Sequence, residues 1–327
     1  MKQIIESICN LSSIKYVVYL LLTFTLFSCD SIDEDLPPCK VYVQFDYSYN
    51  MVYVDLFSAQ VENVDLFIFD KEGNFIERKS ESGSILKSGN YKMELDLPNG
   101  EYQLLTWAGL SDNYELTDMV VGKTNIKDVT LKLRTSSNDV SDSKLSSLWH
   151  GEVKNIVIDG YSQNILIPLI RDTNKIRFVL HFTGEPTISD EDCLFKITAE
   201  NGYYDWNNNI LPDKMITYEP YQLENDTLNS LTDIVREIDI MRLIDSTTKK
   251  YKVTLSRKSD GKLLLTQDLI HLINLLKMQY YEMSLQEYLD RQYDFGFVFV
   301  YDNAKDAFIG INVEMNTFTY WVQLIEF

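Results

Sequence analysis

The chain has 327 residues, 45% of them apolar, and its 49 acidic and 30 basic side chains leave a net charge of −19. That balance excludes nucleic acid and anionic lipid head groups as partners held by charge. The apolar share excludes a disordered tail and is ample for packed cores.

In chain order, the first feature is a short apolar run over residues 16–27, preceded by Lys2 and Lys15 as the only cations. A run of about 12 residues falls short of the roughly 20 that a membrane-spanning helix needs. It closes at Leu26-Phe27-Ser28-Cys29, a small residue before a cysteine. This is the layout of a signal peptide over residues 1–28. Its end resembles the lipobox of bacterial lipoproteins. The resemblance implies cleavage between Ser28 and Cys29, diacylglycerol on the Cys29 sulfur, acylation of the freed amine and a place in the cell outer membrane. Three acyl chains exceed the two signals that stable attachment takes. Residues 29–38 then form an acidic leash, in which Asp30, Asp33, Glu34 and Asp35 repel one another before Pro37-Pro38 stiffen its exit. An acidic stretch behind such a cysteine resembles the surface-export signal of Bacteroidetes lipoproteins, which implies surface exposure.

Beyond the leash the pattern has mainly period two. Val41, Val43, Phe45 and Tyr47 alternate with polar or aromatic neighbours, as on a half-buried strand. Leu66-Phe67-Ile68-Phe69 is continuously apolar, as in a strand buried on both sides, and ends in the turn Asp70-Lys71-Glu72-Gly73-Asn74. Further strands are expected around residues 91–97, 102–107, 129–133, 149–158 and 165–170. After four polar residues, Arg171-Asp172-Thr173-Asn174, the style repeats at residues 175–182, 194–199, 214–218, 235–241, 251–257 and 262–266. Leu269, Leu272, Ile273 and Leu276 suit a helix face, whereas residues 286–291 fit helix or strand. Strands near 295–301, 308–313 and 318–327 finish the chain. Spacings near ten residues with Gly, Asn, Asp and Pro turns describe an all-β antiparallel sandwich. Two domains are expected, over residues 39–171 and 172–327.

Catalytic motifs are missing. There is no Gly-rich phosphate loop, GxSxG elbow, HExxH helix or CxxC pair. His150, His181 and His271 are not spaced as metal ligands, and Asp190-Glu191-Asp192 lacks the alternating ligands of a calcium loop. No enzyme activity, cofactor or metal centre is expected. Cys39 and Cys193 are the thiols left after processing, open to a disulfide or, for Cys193 in an apolar stretch, to burial. The run Asn201-Gly202-Tyr203-Tyr204-Asp205-Trp206-Asn207 mixes rings with amides. Tyr203, Tyr204 and Trp206 are therefore candidate glycan contacts, though such runs also simply form turns.

Several stretches together resemble one family: Cys29-Asp30 with Leu36-Pro37-Pro38-Cys39, the strand Leu66-Phe67-Ile68-Phe69-Asp70, and Gly100-Glu101-Tyr102 before Trp107-Ala108-Gly109. Trp149-His150-Gly151, Leu169-Ile170-Arg171-Asp172-Thr173-Asn174-Lys175-Ile176, Gln286-Glu287-Tyr288-Leu289-Asp290-Arg291 and Ile309-Gly310-Ile311-Asn312 fit as well. The chain resembles the FimB-like, Mfa-type fimbrial anchor (accessory) subunits of Bacteroidales. One departure is Val313-Glu314 after Asn312, where the family commonly has Gly-Trp. The resemblance implies two tandem transthyretin-like β-sandwiches and a lipid-anchored subunit of a surface fimbrium serving cell adhesion. It also implies shaft or accessory pilins as partners, joined by strand exchange.

Shaft pilins of that kind lose their first segment to an arginine-specific protease, whereas here the first arginine is Arg78, well inside the first expected domain. This favours a subunit that keeps its first strand and its lipid. Phe318, Tyr320, Val322 and Leu324 share one face of the last strand, with Trp321 on the other. That strand either closes its own sandwich or is donated to a neighbouring pilin. The alternative is a surface glycan-binding lipoprotein with the same tether.

Overall fold

The computed structural model describes residues 40–183, 188–221, 233–277, 282–305 and 307–314. Ser28, Cys29, the acidic leash, Cys39 and the candidate donor residues Phe318, Tyr320, Trp321, Val322 and Leu324 lie outside them. The chain divides into two units, Met1–Lys40 and Val41–Phe327, and every described strand and helix belongs to the second.

Its first elements are β1 (Val41–Asp46), α1 (Phe57–Gln60), β2 (Asn63–Asp70), β3 (Phe75–Ser82), β4 (Met93–Leu95) and β5 (Gly100–Ala108). β6 (Tyr114–Leu116), β7 (Thr130–Leu133), β8 (Val140–Ser141), β9 (Trp149–Ile158) and β10 (Gln163–Arg171) come next. After Asp172 come β11 (Thr173–Thr183), β12 (Cys193–Ala199), β13 (Tyr203–Asp205), β14 (Ile216–Tyr218) and β15 (Asp233–Met241). The last are β16 (Lys252–Arg257), β17 (Leu263–Asp268), α2 (Leu269–Leu276), α3 (Leu285–Arg291), β18 (Asp294–Asp302) and β19 (Ala307–Glu314).

The all-β reading holds. A seven-stranded sheet runs β3-β2-β5-β9-β10-β1-β4, a four-stranded sheet β15-β11-β18-β19, a five-stranded sheet β17-β16-β12-β14-β8 and a small one β13-β7-β6. Most pairs are antiparallel. Among the described residues three are parallel, joining β1 to β10, β11 to β18 and β14 to β8. The partners in these pairs lie far apart in sequence, so no tight hairpin dictates their direction.

Period-two strands bury one face, as β1 and β12 do. β2 differs, because every residue from Val64 to Phe69 is buried. Its even residues Val64, Leu66 and Ile68 join β1, β4, β9 and β10 in one core. Its odd residues Phe67 and Phe69 join the second core, which takes in the sandwich of the later strands. In that sandwich Phe178 of the four-stranded sheet stacks on Phe195 of the five-stranded sheet at 4.9 Å, and Phe299 lies 5.9 Å from Phe195.

Both helices of the later half arise from local signals. α2 buries Leu269, Leu272, Ile273 and Leu276, one face of a helix, and Asp268 caps it by accepting from the His271 N–H at 2.9 Å. α3 resolves the open reading of residues 286–291. Ser284 accepts from the Glu287 N–H at 3.1 Å, the cap of an S-x-x-E start.

The proposed domain boundary near Asp172 falls between β10 and β11. On each side of it a first strand pairs parallel to a late one, β1 with β10 and β11 with β18. The β7–β13 and β8–β14 pairs cross it.

Gly109 ends β5 at φ +81°, where a Cβ would sit 1.9 Å from the Ser147 carbonyl oxygen. Gly89 has φ +75° with open space around it. Gly89→Ala is expected to cost about 1 kcal/mol for the left-handed backbone alone, and Gly109→Ala more than about 3 kcal/mol because backbone must also move. Urea unfolding of the two variants checks this, and equal costs would mean that Ser147 simply steps aside.

Candidate functional site

Two of the family-like stretches, those holding Asp172 and Asp290, meet at one buried polar junction. Asp172, between β10 and β11, is fully buried, and its Oδ1 accepts from Asn208 Nδ2 at 2.8 Å. Asn208 holds φ +62° in the loop after β13. Arg242, just past β15, donates from Nε and Nη2 to the two Asp290 oxygens of α3 at 3.0 and 3.1 Å. The same guanidinium reaches the Asn208 carbonyl at 3.4 Å, and its Nε lies 3.9 Å from Asp172 Oδ1. Gln286, one turn ahead of Asp290 on α3, donates to it at 2.9 Å and to the Leu243 carbonyl at 3.3 Å.

The neighbouring motif residues extend this network. His150 on β9 is buried, its Nε2 3.0 Å from the Trp206 carbonyl oxygen and its ring edge-on to Trp107 at 4.7 Å. Arg171 donates to Ser147 Oγ at 2.7 Å and to Gln60 Oε1 at 3.2 Å, and its guanidinium lies 3.8 Å from the Tyr293 ring centroid. Gly151 admits no side chain, since a Cβ there would meet Ile167 and Thr106 at 2.7 Å.

Electrostatics make the junction structural. Burial pushes the Asp172 carboxyl up to about 7 against the pull of Arg242 and Asn208. Burial holds the His150 imidazole down to about 4, so it is neutral at ordinary pH. The two groups serve different partners, and among the described residues no nucleophile is hydrogen-bonded to either. Nor is any cluster of three or more described His, Cys, Asp or Glu placed to hold a metal. Asp190 pairs with Arg236 at 2.8 Å, and Asp192 accepts from the Ser259 N–H and hydroxyl. Cys193 is a buried free thiol that burial pushes up to about 12.

The three candidate glycan residues do not form one platform. Tyr204 is fully buried with its hydroxyl on the Asn201 carbonyl at 2.7 Å, so it has no surface to offer a sugar. Its place in β13, paired to β7, turns it inward, contrary to the expectation of a glycan contact. Tyr203 is half-buried with Lys132 5.3 Å from its ring centroid, and Trp206 packs against the core. Asp205 Oδ1 closes the loop by accepting from the Asn207 and Asn209 N–H groups. Sequence reasoning singled out Asp290 only as part of a family-like stretch and missed Arg242 and Asn208; the one signal was an arginine directly after the buried run Ile238-Asp239-Ile240-Met241.

The sheet edges differ in how open they are to a further strand. The seven-stranded sheet ends in β3, whose Glu77, Arg78, Lys79 and Glu81 discourage further pairing, and in the three-residue β4. β15 is partly covered, because Tyr221 N–H donates to the Glu237 carbonyl and Leu145 N–H to Asp239 Oδ2. β17 ends the five-stranded sheet with no charged residue before Asp268 and with Leu263 53% exposed. β19 ends the four-stranded sheet among the described residues, and the chain continues from it toward the candidate donor segment.

The model of the fimbrillin-A associated anchor proteins Mfa1 and Mfa2 matches residues 35–323. The chain belongs to that family. Its members are fimbrial anchor proteins, so the family is structural and not enzymatic, and it is associated with the fimbrium and the cell surface. The minor fimbrium anchoring subunit Mfa2 of Porphyromonas gingivalis is 23% identical over 206 residues, 57% of this chain, and the match spans only 59% of that relative. A solved Bacteroides thetaiotaomicron protein named as a candidate polysaccharide binder superposes with TM-score 0.79 and 33% identity, covering 88% of this chain and 98% of its own. The P. gingivalis anchor Mfa2 itself superposes with TM-score 0.66 at 18% identity, over 89% of this chain and 99% of that one, a likeness of fold. No described helix is long and apolar enough to cross a membrane.

The buried His150 yields a pH prediction. Its folded pKa of about 4 lies below the usual 6.5, so the unfolded chain binds a proton that the folded chain refuses. The His150 contribution to stability is therefore lost as pH falls from about 6.5 to 4 and is constant above that window, whereas the raised Asp172 carboxyl contributes in the opposite direction. The loss approaches about 3 kcal/mol at 1.36 kcal/mol per unit. His150→Gln has nothing to titrate, so the difference between it and wild type should shrink or reverse across that window in urea unfolding at stepped pH. A constant difference would place the imidazole in contact with water.

Proposed function

We propose that the chain is a lipid-anchored subunit fixing a surface fimbrium to the outer membrane, with shaft or accessory pilins as partners. The observation that carries this is the pairing of anchor-family membership with the Leu26-Phe27-Ser28-Cys29 ending of the signal segment. Cys29 would bear the acyl chains, and residues 29–38 would space the folded part from the membrane. Pilin would be held by backbone pairing along a strand, without catalysis. Arg78 supports retention of the first strand. It lies within β3, its Nε and Nη2 on Asp65 Oδ1 at 2.9 and 2.8 Å, where cleavage would cut a paired strand. The glycan-binding reading keeps Tyr203 and Trp206, and the name given to the B. thetaiotaomicron relative favours it. A glycan array or calorimetry that finds no saccharide affinity would end that reading.

Mass spectrometry of the mature native protein should find an acylated Cys29 at its head. Cys29→Ala should move most of the protein from the membrane to the soluble fraction, and an unmodified amino-terminal thiol would refute the tether. Deleting residues 320–327 separates the two roles of the last strand. Lost fimbrial attachment with unchanged thermal stability speaks for donation, whereas unfolding of the later sandwich speaks for closure.

A further inference from the structure

Three apolar residues in a row, Val52, Tyr53 and Val54, are 62%, 60% and 58% exposed at the tip of the loop that joins β1 to α1. A sequence of this kind ordinarily pairs in a sheet or turns inward. Here it is held outward by a dedicated scaffold. Asn50, only 2% exposed, donates from Nδ2 to the Tyr47 and Val54 carbonyls at 2.6 and 2.8 Å and accepts on Oδ1 from the Val52 N–H at 3.0 Å. Asp55 Oδ1 closes the neck by accepting from the Tyr47 and Phe57 N–H groups, both at 2.9 Å.

Tyr53 holds φ +54°, a left-handed conformation that is a genuine outlier for a bulky side chain. Its ring lies 4.7 Å from the guanidinium of Arg291 on α3. The same group lies 4.1 Å from the Tyr49 ring and donates to the Asn50 carbonyl at 3.3 Å. A glycine would satisfy the backbone at position 53 without strain, so the aromatic side chain is kept against its own conformational preference.

We propose that the Val52-Tyr53-Val54 tip is the surface that docks an apolar recess on the next protein subunit. Two observations select that occupant. The chain enters β1 at Val41 and the loop leaves from its other end, about 20 Å away for a six-residue strand, so the tip lies at the end of β1 opposite Val41. Its chemistry is aliphatic and aromatic, without the side-chain amides that hold a sugar and on a chain whose charge of −19 repels anionic surfaces. Contiguous exposed apolar residues on a rigid loop are the usual mark of a protein contact. The inference deepens the anchor reading and rests on it.

The test uses the full-length protein in its native cell, crosslinked and purified from outer membranes, with the fimbrial shaft subunit quantified in the eluate. Tyr53→Gly removes the ring while relieving the backbone, so its melting temperature should hold or rise while co-purified shaft subunit falls at least tenfold. Val52→Asp with Val54→Asp, which leaves position 53 alone, should lose the subunit to the same degree. Val120→Ser with Val121→Ser, a second exposed apolar pair, should leave capture unchanged. Undiminished capture by either tip variant, or equal loss in the Val120 and Val121 control, overturns the inference while leaving the anchor reading intact. Wild-type protein that brings down no fimbrial subunit overturns both.

Discussion

Strand β2 has no solvent face between Val64 and Phe69, and the rest of the architecture is arranged around that constraint. Each of those apolar side chains gains roughly 1.5–3 kcal/mol by leaving water, an upper figure before the entropy of ordering is set against it. Satisfying both faces requires cover on two sides. One side is met by the seven-stranded sheet bending back on itself, so that β1, separated from β2 by β5, β9 and β10 in the sheet order, shares a core with it. The other side is met by the layer containing β6 and β7, and through it by the later sandwich. A single continuous core therefore takes in residues from before and after Asp172. Substitutions in β2 should be felt in both halves, because neither face can relax toward solvent.

The polar junction is the counterpart to that apolar continuity. Where β10 passes into β11 the chain must turn within the interior, and a buried backbone turn needs partners. Asp172 N–H donates to the Leu148 carbonyl, Thr173 Oγ1 accepts from the Leu148 N–H, and the Asp172 side chain is met by Asn208. Arg242 then ties Asp290 of α3 to the same place. A buried pair of this type adds little net stability against an apolar substitute, since desolvation offsets most of the attraction. Removing one member, however, leaves an unpaired charge in the interior. The junction thus specifies one arrangement of β10, β11, α3 and the loop after β13 more than it strengthens any of them. Asp172, Thr173 and Asp290, which lie in stretches that marked the family in the sequence, serve here as packing groups.

Much of this was legible in the residues. The alternation of Val41, Val43 and Phe45, the continuous run in β2 and the spacing of Leu269, Leu272, Ile273 and Leu276 each correspond to the observed element. Three-residue strands such as β6 and β13 were harder to read, because so short a segment has no measurable period. The parallel pairs were invisible as well, since register between distant strands is set by which cores close and not by local composition. Tyr204 shows the limit most clearly. Its neighbours suit a sugar-binding turn, but pairing of β13 with β7 decides which way the ring faces. The Val52-Tyr53-Val54 tip misleads in the opposite direction. Its composition reads as strand, and only the Asn50 scaffold and the left-handed Tyr53 hold it out.

β1 leads from Val41 to the exposed tip loop. It is the first strand after the leash, it supplies Val41, Val43 and Phe45 to a core, and its far end supports the loop held by Asn50 and Asp55. Its parallel partner β10 leads directly to Asp172 and the junction, so tension entering at Val41 would be shared across the β1–β10 hydrogen bonds before reaching the later sandwich. Strand pairs loaded along their length resist as a set, because all the ladder bonds must yield together. A subunit of this build has reason to keep its first strand. Losing it would expose the β2 face of the core, free the tip loop and unpair β10 at once.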